Sequence, residues 1–421
     1  MTVHELTREL VEIPSHEDET AAGDCLEAWL RRETDADVYR DGVGNVFARR
    51  TADASGTPVY DTPGGETAGT AGDVPPVPSG HSLALVGHHD VVPPAPEQAD
   101  DAGGYVVDSR EGRLYGRGAA DMKGAVAAMA VAFRDVTTAP EDLREGSGGH
   151  GAVSSGETAA DPREVWFVSF VGEEVGGVGA RHAIEHGFVP SHAVVGEGST
   201  NYSGPDVTDV VVAHRGRRGS TITARGTAAH ASEPDAGENA IYRAADAIDV
   251  LRDLEVPTVE VAGESLAGSV VATEIEGGSG INVIPASCSI TVDERTVPGE
   301  RAALEAVTDL EGVEWTVDQD LPPMACSDDE FAAWVLETAR ETQSRDGTQP
   351  ERVTKPHATD AGWLAENGTA CVIYGPSEPG EAHTNTESVS MAVLERCLET
   401  YRRLGTEWLA RGRDDHGACS P

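Results

Sequence analysis

Five short segments of the chain carry residues that can hold a metal. They are Leu83-Ala-Leu-Val-Gly-His88-His-Asp90, Arg117-Gly-Ala-Ala-Asp121-Met-Lys-Gly124, Val165-Trp-Phe-Val-Ser-Phe-Val-Gly-Glu173-Glu174, Ala193-Val-Val-Gly-Glu197 and Glu381-Ala-His383-Thr-Asn. Imidazole and carboxylate donors of this mix suit zinc-class ions in open, catalytic sites, and there are enough of them for two ions rather than one. Each has a plainer reading. His88 with Asp90 two residues on could be a capped loop; as part of a site, the carboxylate would orient the imidazole and raise its basicity. His89, between them, should point the other way by the period-2 alternation of a strand. Asp121, just before the apolar run Met122–Phe133, could be a helix N-cap or a carboxylate bridging two cations. Glu173 and Glu174 end a strongly apolar run, where two adjacent acids are costly unless a cation or proton compensates them. One could then bind metal while its neighbour acts as general base on water; the plain alternative is a solvated pair. A lone histidine such as His383, on a Pro/Gly loop, is ordinarily just solvated.

The elements implied by periodicity would bring these residues together. Residues 3 to 12 and 17 to 32 have helical spacing, with Ser15 as a candidate N-cap, and 43 to 47 read as a short strand. Strands ending at His88, near Glu173 and at Glu197 alternate with helices after Asp121 and over about 177 to 186, which argues for a mainly parallel sheet covered on both faces. Ligands of such sheets gather outside the carboxyl ends of the strands. From about residue 209 the pattern changes to a long strand, a helix over 237 to 251, strands near 268–276 and 286–295, a helix from Pro298 and a strand at 313–317. This is the β-α-β-β-α-β order of a split βαβ sandwich. Helix and strand alternation then resumes, with helices over 327 to 342 and 388 to 410. The expected organisation is a discontinuous α/β domain (1–208 and 325–421) interrupted by an α+β, ferredoxin-like domain (209–324). Residues 51–80 and 141–163, rich in Gly, Pro, Ser and Thr, read as mobile insertions.

Composition narrows the class. A chain of 421 residues exceeds what one core usually supports. The formal net charge is −42, and only Lys123 and Lys355 are lysines. Such a charge self-repels at low salt and is tolerated when salt screens it, which points to a high-salt cytoplasm of the halophilic, archaeal kind; an ordinary acidic protein is the plain alternative. Nucleic acid and anionic membranes are excluded as partners, because phosphate binding needs clustered cations. The six cysteines, Cys25, Cys288, Cys326, Cys371, Cys397 and Cys419, form no C-x-x-C pair and no disulfide framework. No apolar run approaches membrane-spanning length and the N-terminus does not read as a signal peptide, so a cytoplasmic protein is expected.

The order G-H-x-D-V-V-P, G-x-x-D-M-K-G, G-E-E-x-G-G-x-G, a strand-terminal acid and A-H-T-x-x-E resembles the di-zinc amidohydrolase and metallopeptidase family of acetylornithine deacetylase, succinyl-diaminopimelate desuccinylase, aminoacylase and carboxypeptidase G. The likeness covers nearly the whole chain apart from the two insertions. It implies that 1–208 and 325–421 form an α/β, phosphorylase/hydrolase-like catalytic domain with a mixed, mainly parallel sheet, and that 209–324 is a lid and dimerisation domain. It also implies two divalent ions, zinc first and cobalt or manganese as alternatives. His88 and Glu197 would hold one ion, Glu174 and His383 the other, and Asp121 would bridge them. Asp90 would orient, and Glu173 would serve as general acid and base. His230, in Gly226-Thr-Ala-Ala-His-Ala-Ser, matches a histidine that stabilises the oxyanion, often across a dimer. Asn282 and Arg295 match lid residues that grip the substrate carboxylate, and Gly375 is assigned to substrate binding. The loop Ala358-Thr-Asp-Ala361 departs from the Gly-Thr-Ser-Asp form of many desuccinylases and leans towards the peptidase-like members.

The implied activity is hydrolysis of an N-acyl amino acid through a metal-bound hydroxide, with Glu173 as base, in a homodimer joined through the lid. A metallo-exopeptidase acting on short peptides is the alternative. A non-catalytic metal-binding relative, or a mononuclear structural site, is the remote one.

Overall fold

The computed structural model describes residues 1–52, 75–137, 162–261, 263–343 and 348–411. Two units share the chain: Met1–Val212, Cys326–Val353 and Trp363–Pro421 form the first, Ala213–Ala325 and Thr354–Gly362 the second. The expected insertions 51–80 and 141–163 lie outside the described residues except at their margins.

The strands Asp37–Arg40, Val46–Ala52, Arg163–Phe170, Ser82–His88, His192–Val195 and Ala370–Ile373 of the first unit lie side by side in that order, followed by Val210–His214, which runs from the first unit into the second. The four from Arg163–Phe170 to Ala370–Ile373 are mutually parallel, and those outside them run antiparallel. The parallel strands are buried almost end to end, as strands covered on both faces must be, which is why they read as unbroken apolar runs. Because they share one direction, the chain leaves them at one edge, and His88, Glu173–Glu174 and Glu197 follow there.

The helix Gly124–Asp135 is small and apolar on every side, and it is buried from Gly124 to Phe133. It lies hard against the strand ends. A Cβ at Gly87 would sit 2.8 Å from Val126 Cγ2, and one at Gly196 would sit 2.6 Å from Met129 Cε. These glycines immediately precede His88 and Glu197, so close approach of the helix requires that both lack side chains.

In the second unit the strands Ser269–Gly277, Ser287–Thr296, Gly216–Arg225 and Val313–Leu321 form an antiparallel sheet in that order. The helix Ala240–Asp253 covers one face, with Ala240, Ala244, Ala247 and Leu251 packed on Ile222, Ile290 and Val292. This is the split βαβ arrangement.

Several local expectations change. The second helix is Thr20–Glu33 and not 17 to 32. Ser15 does not cap it: its hydroxyl donates to the His89 carbonyl at 2.7 Å, and Asp18 Oδ1 accepts from Thr20 N instead. The strand expected at 43–47 begins at Val46, because Asp41 draws the N–H groups of Val43, Gly44 and Asn45 into a turn. The long strand from 209 is two strands, Val210–His214 and Gly216–Arg225. The helix expected from Pro298 is only a short 3-10 turn, Leu304–Asp309. Thr354–Gly362, expected in the first domain, groups with the second unit. There Arg215 N donates to the Lys355 carbonyl, and Thr359 Oγ1 lies 3.2 Å from His214 Nε2.

Cys25, Cys288, Cys326, Cys371 and Cys397 are free thiols. Among the described residues no helix is long and apolar enough to cross a membrane.

Candidate active site

His88, at the last position of its strand, is buried. Its Nε2 lies 3.2 Å from Asp121 Oδ1 and 3.5 Å from Glu197 Oε1. Its Nδ1 faces Asp90, 3.1 Å from the carbonyl oxygen and 3.3 Å from Oδ1. Burial works against a charge on the ring, but the Asp90 carboxylate and the bonds to Asp121, Asp90 and Glu197 outweigh it and hold the imidazole pKa well above normal.

A second group forms on the other side of Asp121. His383 Nε2 is 3.2 Å from Asp121 Oδ2 and 3.0 Å from Glu174 Oε1. His383 has φ +64°, an uncommon backbone state for a residue with a Cβ. The bonds to Asp121 and then Glu174 raise its pKa to about 10. Burial raises the Glu174 pKa, helped by the Asp121 charge and opposed by the bond from His383. Within each group, His88–Asp121–Glu197 and Asp121–Glu174–His383, one donor atom per residue lies within 4.8 Å of the others. Asp121 belongs to both groups through its two oxygens and does not cap the helix that follows. Two imidazoles and three carboxylates gathered this closely are candidate ligands for divalent cations, and any cation bound there would have to displace imidazole protons.

Asp90 ties this arrangement to the strand ends. Its Oδ1 accepts from Glu173 N at 3.1 Å and its Oδ2 from Glu174 N at 3.0 Å. One carboxylate therefore orients His88 and fixes the backbone of both glutamates. Burial alone would raise its pKa; His88 and the two N–H groups leave it lowered. Glu173 is in neither ligand group. His89 points away, as alternation requires, with Nδ1 on Ser169 Oγ at 2.8 Å, and burial drives its pKa down to about 3.

The other expected residues are placed differently. Gly375 is buried, and a Cβ there would meet the Gly196 carbonyl oxygen at 2.0 Å. Its N–H donates to Ser199 Oγ and its carbonyl accepts from Ser199 N and Thr200 Oγ1. It packs against the backbone of Gly196 and Glu197. His230, Asn282 and Arg295 lie in the second unit. His230 Nδ1 accepts from Ser232 N at 3.2 Å, and its Nε2 is 3.4 Å from Asn282 Nδ2. Arg295 turns onto Asp293, with Nε 2.7 Å from Oδ1. Two residues of the first unit to which the sequence motifs assign no role, Arg117 and Glu387, form a buried ion pair beneath Asp121. The available signal was the acid four residues after His383.

Residues 84–145 match the peptidase family M20/M25/M40, and residues 212–310 match a peptidase dimerisation domain. Succinyl-diaminopimelate desuccinylase of Stenotrophomonas maltophilia is 30% identical over 337 residues, 76% of this chain and 82% of that protein. The chain belongs to the M20 peptidase family. Acetylornithine deacetylase of Myxococcus xanthus, 29% identical over 334 residues, covers 75% of this M20 chain and is itself covered to 77%. Among solved structures, aminopeptidase PepT of Bacillus cereus superposes with a TM-score of 0.68 at 18% identity, over 97% of this chain and 98% of its own. That likeness shows the M20 fold alone. The protein is thus an M20-family hydrolase with a dimerisation domain, and its first unit carries two candidate metal-ligand groups.

Proposed function

We propose that the protein hydrolyses the amide bond of N-acyl amino acids with two divalent cations. His88 and Glu197 would hold one, Glu174 and His383 the other, and Asp121 would serve both. The observation that carries this reading is the division of Asp121: Oδ1 faces His88 and Oδ2 faces His383, each at 3.2 Å. The deacylase side of the reading draws on relatives at 29–30% identity that are named as a deacetylase and a desuccinylase. Zinc suits the donors, and cobalt or manganese would fit the same set. Cations held there polarise a carbonyl and make a water easier to deprotonate.

The chain's own residues do the rest. Glu173, its backbone held by Asp90 Oδ1, takes the proton from the attacking water and returns it to the leaving amine. Asp90 keeps the His88 ring turned so that Nε2 points to the ligand group. The same reading assigns oxyanion stabilisation to His230 and carboxylate recognition to Asn282 and Arg295. It also takes the dimerisation domain as the contact of a homodimer.

The test is release of free amine from N-succinyl-diaminopimelate, N-acetylornithine, other N-acyl amino acids and dipeptides, with zinc or cobalt and with chelator. One preferred N-acyl substrate, lost on chelation, is the expected result. Cleavage of dipeptides alone would move the protein to the exopeptidases. No metal-dependent turnover on any of them would sink the catalytic reading.

A further inference from the structure

Glu387 is 1% exposed and belongs to neither ligand group, yet it touches the backbone of both loops that meet at Asp121. Its Oε1 accepts the N–H groups of Ala120 at 3.0 Å and Asp121 at 3.1 Å. Its Oε2 accepts from Arg117 Nη1 at 2.5 Å. Its own carbonyl accepts from Gly116 N, and its N–H donates to the Thr384 carbonyl. Just beyond it, Ser388–Ser390 pairs with Arg113–Tyr115, Ser388 opposite Tyr115. Two loops therefore part from one paired junction. One runs forward to Asp121, the other back to His383, and the Glu387 carboxylate joins them across the gap.

A buried carboxylate is costly to desolvate, and an apolar side chain of similar volume would fill the space without that cost. An apolar residue could not accept the two N–H groups. Without an acceptor, those groups would be left unpaired beneath the bridging aspartate, and the backbone would have to shift to find partners. A shift there moves Asp121 Oδ2 relative to His383 Nε2, the contact that defines the second group.

We propose that Glu387 is a positioning residue: it locks the Asp121 loop to the His383 loop and so sets the geometry of the Asp121–Glu174–His383 ion site. This rests on the two-cation reading above. Arg117 neutralises the buried carboxylate and leaves Oε1 for the backbone.

The experiment measures metal content after dialysis, and the affinity of each ion by chelator competition, in the full chain and its variants. Thermal melts report folding. The parent should hold two ions, and a parent that holds none would sink the two-cation reading itself. Glu387→Ala should keep the ion of the His88 group and bind the other about 10- to 100-fold more weakly, the usual penalty for losing a partner behind a ligand. Glu387→Asp, which keeps the charge but is one carbon too short to span the gap, should weaken the same ion and covers the case in which the alanine variant does not fold. Glu387→Gln keeps an oxygen for the two N–H groups but turns its amide nitrogen onto Arg117, so it should recover only part of the lost affinity. A folded Glu387→Ala or Glu387→Asp chain with both ions at parental affinity overturns the proposal.

Discussion

Glu173 and Glu174 are neighbours in sequence with separate parts to play. Glu174 shares an ion site with Asp121 and His383, whereas Glu173 is in neither ligand group. Replacing Glu173 with Ala should lower kcat by about 10²–10⁴, the range for a general acid–base group, while bound metal stays at the parental stoichiometry. Retained turnover would remove Glu173 from the base role, and lost metal would make it a ligand. His383 leads to a prediction about protons. Its pKa of about 10 means that the metal-free imidazole is protonated at pH 8, and His88 is held in the same direction. A cation must displace those protons, so metal affinity should rise with pH towards about 10, and loading should release protons. Calorimetry in buffers of different ionisation heat would read that release; none at pH 8 would contradict the assigned contacts. Stability of the metal-free chain follows the same shift with its own sign. The contribution of protonated His383 is fully present below the unfolded pKa of about 6.5 and fades as pH rises through about 10. The members of the two ligand groups were legible in the sequence because His88, Glu174 and Glu197 each end an apolar run and Asp121 and His383 sit in matching motifs. Glu387 stood in the sequence only as the last letter of A-H-T-x-x-E, and its pairing with Arg117 was not legible, since it spans 270 positions.

Strand ends do the positioning, and Gly375 shows how tightly. The parallel pairing of His192–Val195 with Ala370–Ile373 continues as backbone contact between Gly196–Glu197 and Gly375. A methyl group on Gly375 would meet the Gly196 and Glu197 carbonyl oxygens at 2.0 and 2.5 Å, backbone atoms that cannot swing aside. Gly375→Ala should therefore destabilise the chain by about 1–3 kcal/mol, the usual cost of overpacking, and weaken metal binding through Glu197. A thermal melt with metal analysis checks this. A variant with parental stability and a raised KM would instead place Gly375 at the substrate. The parallel strands were readable because burial on both faces leaves an unbroken apolar signature, and the split βαβ order was readable from element succession. Where local chemistry competed with periodicity, the reading failed. Asp41 turned the start of a strand into a loop, and Pro298-Gly299 is followed by a short 3-10 turn where a helix was expected. The grouping of Thr354–Gly362 with the second unit depends on contacts to Arg215, His214 and Pro322 that no local pattern announces.

At the scale of the whole molecule the charge of −42 dominates. Many arginines are already committed: Arg117 to Glu387, Arg218 to Glu294, and Arg217 and Arg295 both to Asp293. Even if every basic residue neutralised one acid, 42 carboxylates would remain without a cationic partner. At about 0.1 M salt the Debye length is about 10 Å, so these carboxylates repel across the surface; at about 1 M it falls to about 3 Å and the repulsion is largely screened. The unfolded chain can spread the same charge over a larger volume, so screening helps the folded state more. The melting temperature should therefore climb as KCl is raised from about 0.1 M to the molar range. Most of the gain should come before about 1 M, where screening saturates; any further rise would have to come from salt exclusion or specific ion binding. Running the same series in KCl and in tetramethylammonium chloride separates the two, because a bulky cation screens as well but cannot occupy carboxylate clusters. A melting temperature that is flat or falls with KCl would mean that the charge is balanced within the fold after all, and the high-salt reading of this chain would have to be given up.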